Sequence, residues 1–270
     1  MGSLPLVSCV MPTYGRPVFA LQAVRYFLRQ DYPARELLIL DDGPEGPGEE
    51  LGARLPGDDR IRYIRLPRLP IGGKRNIGCA LARGAIIAQW DDDDWYGPAR
   101  LSAQVAPLLA GRADITGIRG TTVFDLERWQ AWTCTPRLHR LMYRHDVHGG
   151  TLVYFRHLWQ RCARYPNRSL AEDARFLSRL MRAGARLGRV EDADLFVYIR
   201  HGANTWSFRS GRFLDPRGWR SVAGVPLPPE DRPFYVAIAT AAEKAAVRSG
   251  APRFFRQALS RMIAPAPDRG

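Results

Sequence analysis

Three apolar runs of strand length end abruptly in polar clusters early in the chain, and this repeated ending limits the fold more than any other feature. Leu6–Met11 runs into Pro12-Thr13-Tyr14-Gly15-Arg16, Glu36–Leu40 into Asp41-Asp42-Gly43, and Ala85–Trp90 into Asp91-Asp92-Asp93-Asp94. Between them, Pro17–Gln30 places Leu21, Val24, Phe27 and Leu28 at helical spacing, Ile61–Arg65 is a short strand, and Lys74–Arg83 is a helix entered through Gly72-Gly73 and left through Gly84. Strands alternating with helices predict a parallel sheet covered on both faces. Ligands of such sheets bind beyond the carboxyl ends of the strands, so the polar clusters and the opening Gly72-Gly73-Lys74-Arg75-Asn76 gather on one edge.

The aspartate run is the sharpest of these clusters. Four adjacent carboxylates repel one another, and holding them ionised at a strand end becomes reasonable when a hard divalent cation, Mg²⁺ or Mn²⁺, shares their oxygens with a phosphate group. A solvated acidic turn is the bland alternative. Trp90 on one side and Trp95-Tyr96-Gly97-Pro98 on the other argue against it, because aromatic residues seldom bracket a purely solvating patch. Alternation at the end of an extended segment would set Asp91 and Asp93 on one side.

A nucleoside diphosphate needs a base pocket, a ribose acceptor and positive charge at its phosphates. Tyr14 is suited to stack on a base, Asp42 to accept from a base N–H, and Lys74 with Arg75 to approach the diphosphate near a helix start. Each also has an ordinary explanation: a packing aromatic, an Asp-Gly turn, a common helix entry.

The second half is less regular. Pro98–Leu109 and Leu170–Ala183 read as helices, the latter stopped by Gly184; Asp114–Trp132 reads as short strands, Gly149–Tyr154 as a strand after a Gly pair, and Asp194–Arg200 as a last strand before His201. Ser169-Leu170-Ala171-Glu172 has the form of a capping box, which gives Glu172 a structural role. Asp173 heads the stripe Phe176, Leu177, Leu180, so it should face the interior or a cleft near a helix N-terminus, a suitable place for a general base or for a buried structural acid. His139, His145 and His157 lie in Arg-rich stretches expected to be exposed, whereas His148 beside Gly149-Gly150 is equally suited to border an acceptor cleft or to be an ordinary loop histidine.

The formal charge of +13 invites a nucleic-acid reading. It weakens because 38 of the 40 basic residues are arginines spread along the whole chain, Lys74 and Lys244 being the exceptions, and no nucleic-acid-binding motif accompanies them. Cys9, Cys79, Cys134 and Cys162 are isolated, which argues against a zinc site or a disulfide framework and for a reducing compartment. No apolar stretch is long enough to span a bilayer, and Leu4–Met11 lacks the form of a signal peptide. These features predict a cytoplasmic protein.

Taken together, Val7–Arg16, Glu36–Gly43, Gly73–Gly78, Asp91–Pro98 and Glu172-Asp173 resemble glycosyltransferase family 2, the inverting, metal-dependent enzymes of the GT-A fold. The resemblance covers about residues 5–205 in order and spacing. It implies an α/β fold, a Rossmann-like mostly parallel sheet flanked by helices, over residues 1–205, with a nucleotide-sugar-binding half at 1–97, an acceptor half at 98–205 and a helical C-terminal extension at 206–270. It implies a nucleotide-sugar donor, UDP-sugar favoured, bound by Pro12, Thr13, Tyr14, Arg16, Asp42, Lys74, Arg75, Asp91 and Asp92. Asp93 would be the metal-binding aspartate of the DxD motif, His201 a further metal ligand, and Asp173 the catalytic base. His148, Gly149, Gly150 and Glu172 would line the acceptor side, the acceptor being a saccharide, a lipid-linked or another hydroxyl. Gly15 departs from the family's common Asn. Competing readings are a nucleotidyltransferase with a similar sheet, for which Pro12-Thr13-Tyr14 is the wrong loop, and a non-catalytic nucleotide-sugar or RNA binder. In the extension, Phe255, Leu259, Met262 and Ile263 share one helical face, for which packing onto the domain is the favoured role and peripheral docking to the inner face of an anionic membrane the alternative.

Overall fold

Strand β1 (Val7–Thr13) is buried at every residue, as an unbroken run such as Val-Ser-Cys-Val-Met requires when helices cover both faces of a sheet. The chain then alternates: α1 (Pro17–Leu28), β2 (Arg35–Asp41), α2 (Pro47–Arg54), β3 (Ile61–Arg65), α3 (Ile71–Leu81) and β4 (Ile86–Gln89). It continues through β5 (Trp95–Tyr96), α4 (Arg100–Leu109), β6 (Ile115–Arg119), β7 (Thr122–Asp125), β8 (Gln130–Cys134), α5 (Pro136–Met142), β9 (Val153–Phe155), α6 (Arg156–Arg161), α7 (Glu172–Arg182), β10 (Leu187–Glu191), β11 (Phe196–Arg200), β12 (Trp219–Val222) and α8 (Arg232–Arg248). This computed structural model describes residues 4–44, 47–191 and 194–248.

The chain divides into two units, residues 1–120 with 140–196 and residues 121–139 with 197–270. The first holds a seven-stranded sheet in the order β10-β6-β9-β4-β1-β2-β3. β1 pairs in parallel with both β2 and β4, and β2 with β3. β9 runs antiparallel, between β4 and β6. Strand order therefore reverses at β1, and the crevice beyond the carboxyl ends of β1 and β4 is the topological switch point where ligands of open α/β sheets sit. In the second unit, β7 pairs with β8 antiparallel and with β11 in parallel, and β12 extends the sheet beyond β8.

One face of the seven-stranded sheet is closed by α7, whose Phe176, Leu177 and Leu180 join Val10, Leu38, Leu40, Ile87, Ile115 and Tyr154 in the core. Burying that stripe fixes the direction of α7 and hence where its acidic first turn, Glu172-Asp173, stands. Helix α3 lies as close to the sheet. A Cβ at Gly78 would collide with the Val10 side chain of β1. Gly78→Ala should therefore lower stability by about 1–3 kcal/mol through overpacking, although alanine ordinarily favours a helix by about 1 kcal/mol. Urea denaturation checks this, and a variant as stable as the parent would show that α3 can move off β1.

Several expectations shift in the structure. Helix α3 starts at Ile71, so Gly72 and Gly73 form its first turn instead of leading into it; a Cβ at Gly72 would strike the Pro166 carbonyl, so the glycine serves a close approach. The capping box does not form. Helix α7 starts at Glu172 behind Ala171, which takes a left-handed φ of 57°, and Ser169 instead accepts a hydrogen bond from the Ile71 N–H. Gly149–Thr151 is a 3-10 turn that reverses the chain into β9. β11 is followed by a further strand, β12, and α8 supplies the helix of the C-terminal extension. His139, expected to be exposed, is buried: with Leu138 it lies on the covered side of the short helix α5, whose Leu141 stays exposed. The apolar face proposed over Phe255–Ile263 lies outside the described residues.

Candidate active site

One cluster gathers at the ends of β1 and β2. Asp42, just past β2, is buried, and its Oδ1 accepts from Lys74 Nζ at 2.5 Å while Oδ2 accepts from the Leu69 N–H at 2.7 Å and from Arg68 Nη1 at 3.0 Å. Burial opposes its ionisation, but these donors outweigh it and hold the carboxyl below the usual range. Lys74 also donates to the Thr13 carbonyl at 2.8 Å, and burial lowers its pKa against the pull of Asp42. Tyr14 keeps 44% of its surface exposed, and the Arg68 guanidinium lies 3.6 Å from its ring centroid. Arg68 thus links Tyr14 to Asp42. Arg68 was not legible as a member: it lies between prolines in the loop after β3, without periodicity or motif to single it out.

The aspartate run bends as it leaves β4, and the bend regroups it. Asp92 and Asp93, not Asp91 and Asp93, share a partner: Arg16 places Nη2 2.5 Å from Asp92 Oδ1 and Nη1 2.6 Å from Asp93 Oδ2. Alternation fails because the segment is not extended beyond Gln89. Thr13 Oγ1 donates to Asp92 Oδ2 at 2.6 Å. Burial pushes Asp92 up to about 6 against the pull of Arg16, and the charge of Asp93 adds to the rise. The neighbouring carboxylates in turn raise Arg16, against its burial. Trp90, its ring centroid 4.2 Å from that of Tyr96 and tilted by 33°, anchors the start of the run, and the Asp91 N–H donates to the Tyr96 hydroxyl at 2.6 Å.

Asp91 turns to the other side, where Arg75 joins the aspartate run to α7. Arg75 Nη2 lies 2.7 Å from Asp91 Oδ1 and its Nε 3.2 Å from Glu172 Oε1. Burial, and then the charge of Asp173, lifts Glu172 to about 7 while Arg75 pulls it down. Burial likewise raises Asp173, whose Oδ1 accepts from the Ala174 N–H at 2.6 Å. The Gly149-Gly150 turn meets both acids, for a Cβ at Gly149 would collide with the Asp173 carboxylate and one at Gly150 with that of Asp91. His148 is buried, its ring walled by Tyr143 and Phe196 at 5.0 and 4.9 Å. His201 belongs to the second unit, where its N–H donates to Asn204 Oδ1 at 3.0 Å.

Among the described residues, no group of three or more His, Cys, Asp or Glu side chains converges on a cation position. The donor set still suits a hard cation: Asp92 and Asp93 present carboxylate oxygens side by side, and the Arg16 fork already stands between them as a positive charge. Pro12 and Thr13 close β1, whereas Lys74 and Arg75 are buried in internal ion pairs. Arg16 is the more open cation, with 26% of its side chain exposed.

The model of the glycosyl transferase family 2 matches residues 8–162. WcaA of Escherichia coli (strain K12), a glycosyl transferase named provisionally for colanic acid biosynthesis, is 28% identical over 211 residues, 75% of each chain. Among solved structures, residues 1–349 of TarS from S. aureus in complex with UDP-GlcNAc align at a TM-score of 0.60 and 17% identity, over 76% of this chain and 62% of that one. The mannosyltransferase PcManGT from Pyrobaculum calidifontis, in complex with GDP-Man and Mn²⁺, aligns at 0.59 and 17% identity, over 96% and 79%. The sheet order and these alignments are those of the GT-A fold. With the family model covering more than half of the residues, the chain belongs to glycosyl transferase family 2.

Proposed function

We propose that this glycosyltransferase moves a sugar from a nucleotide-sugar donor, a UDP-sugar foremost, to an acceptor hydroxyl with inversion at the anomeric carbon. The observation that carries the reading is the meeting of donor-side and base-side acids around Arg75, with Asp173 standing in the first turn of α7 beyond the switch point. The solved relatives in complex with UDP-GlcNAc and with GDP-Man and Mn²⁺ support it. Residues 1–97 would bind the donor, 98–205 the acceptor, with 206–270 as an extension.

In this reading Tyr14 stacks on the base and Asp42 orients it, with Arg68 yielding its place. Arg16 meets the diphosphate. A divalent cation held by Asp93, beside Asp91 and Asp92, would supply positive charge at the departing diphosphate. Asp173 takes the proton of the acceptor hydroxyl as that oxygen attacks, and the bare backbone of the Gly149-Gly150 turn leaves room for the carboxylate to sit there. The base must be ionised to work. Because burial raises both Glu172 and Asp173, kcat should fall as pH drops, with the acid limb lying above the usual carboxylate range and belonging to the coupled pair. A kcat profile flat down to pH 5 would remove the pair from the reaction.

Thermal-shift assays with UDP- and GDP-sugars, with and without Mn²⁺, test the donor, since a ligand that binds the native state raises its melting temperature. NMR of the product tests the stereochemistry. An α-linked donor should give a β-linked product, and retention would overturn the reading. No described helix is long and apolar enough to cross a membrane.

A further inference from the structure

We propose that Arg16 is the resident counter-ion of the aspartate run, and that a nucleoside diphosphate withdraws it, so that divalent-cation binding waits on nucleotide binding. The inference rests on the reading above. Its geometry is the two-pronged contact: one guanidinium nitrogen on Asp92 and the other on Asp93, carboxylates that are 2% and 8% exposed. Asp92 also accepts from Thr13, whose hydroxyl is neutral and adds no compensating charge. A cation approaching these two carboxylates without nucleotide meets a fixed positive charge between them and must displace it or accept the repulsion.

A diphosphate changes that balance. The planar fork of arginine matches phosphate oxygens as well as carboxylates. Arg16 is able to turn toward such a ligand, because a quarter of its side chain is exposed, whereas Lys74 and Arg75 have side-chain exposures of 2% and 4% and are held by Asp42, Asp91 and Glu172. Once the fork has turned, Asp92 and Asp93 face each other in a poorly hydrated site without it. That arrangement draws in a divalent cation. Nucleotide and metal are then positively coupled, and linkage makes the coupling reciprocal.

The test is Mn²⁺ titration of the full chain, followed by the loss of the free-Mn²⁺ electron paramagnetic resonance signal, with and without UDP or GDP. Wild type should bind Mn²⁺ weakly alone and about tenfold more tightly with the nucleotide, within the usual range of coupling between sites. Arg16→Gln should bind Mn²⁺ alone about tenfold more tightly than wild type and show a smaller gain on adding nucleotide, the remainder coming from the diphosphate's own oxygens. Arg16→Lys, which keeps the charge and loses the fork, should fall between them and serves if the glutamine variant does not fold. An Arg16 variant with a native melting curve that binds Mn²⁺ alone no better than wild type overturns the inference and leaves the metal-dependent reading standing. Absence of Mn²⁺ binding in every form, nucleotide included, overturns both.

Discussion

Asp173→Asn should lower kcat by about 10²- to 10⁴-fold while nucleotide affinity stays within a few-fold of wild type. An acceptor alcohol is a poor nucleophile until its proton is taken in the transition state, and the amide keeps the shape of the carboxylate without its basicity. The fold should tolerate the change. The Asp173 Oδ1 that receives the Ala174 N–H is replaced by an amide oxygen able to accept the same bond, and the core residues Phe176, Leu177 and Leu180 are untouched. Glu172→Gln makes the comparison informative, because the amide oxygen still meets Arg75 Nε while the charge beside Asp173 is lost, so its effect should be smaller and appear mainly in the pH profile. Steady-state kinetics with donor binding by calorimetry separates the two variants. An Asp173→Asn enzyme turning over within a few-fold of wild type would exclude it as the base.

The loss in Asp93→Asn should be of similar size. A metal contributes several kcal/mol of charge stabilisation to a departing phosphate, on the order of 10³-fold in rate. Arg16 would keep its bond to Asp92, and the amide oxygen introduced at the neighbouring position could still accept from Nη1, so the melting temperature should change little. The diagnostic sign is that UDP affinity, Mn²⁺-dependent in wild type, becomes insensitive to Mn²⁺. Full wild-type activity in excess EDTA would end the metal assignment.

Much of this was legible because burial writes itself into sequence. The runs around Val7–Thr13, Arg35–Asp41 and Ile86–Gln89 read as strands since each must be largely apolar when covered by helices, and their polar endings marked the edge where the site forms. What stayed hidden depended on contacts distant in sequence. Strand β10, with the half-exposed pattern Leu-Gly-Arg-Val-Glu, is held by pairing with β6 more than by its own hydrophobicity. The capping signal at Ser169 lost to a hydrogen bond from the first residue of α3. The grouping of Asp92 with Asp93 was set by Arg16, some 76 residues away in the chain, and Arg75 proved to be a bridge to Glu172, 97 residues on. Periodicity carries no information about such partners.

The Gly149-Gly150 turn has a consequence for anyone wishing to redesign what this enzyme glycosylates. Because the backbone itself lies against the carboxylates of Asp173 and Asp91, the wall beside the proposed base has no side chains to exchange at these two positions, and even alanine would displace an acid. Mutational libraries aimed at these two positions would return mostly inactive clones. Diversity is better placed on neighbouring residues whose side chains can be shortened or lengthened without moving the two acids, so that acceptor preference is altered around a main-chain template that stays constant.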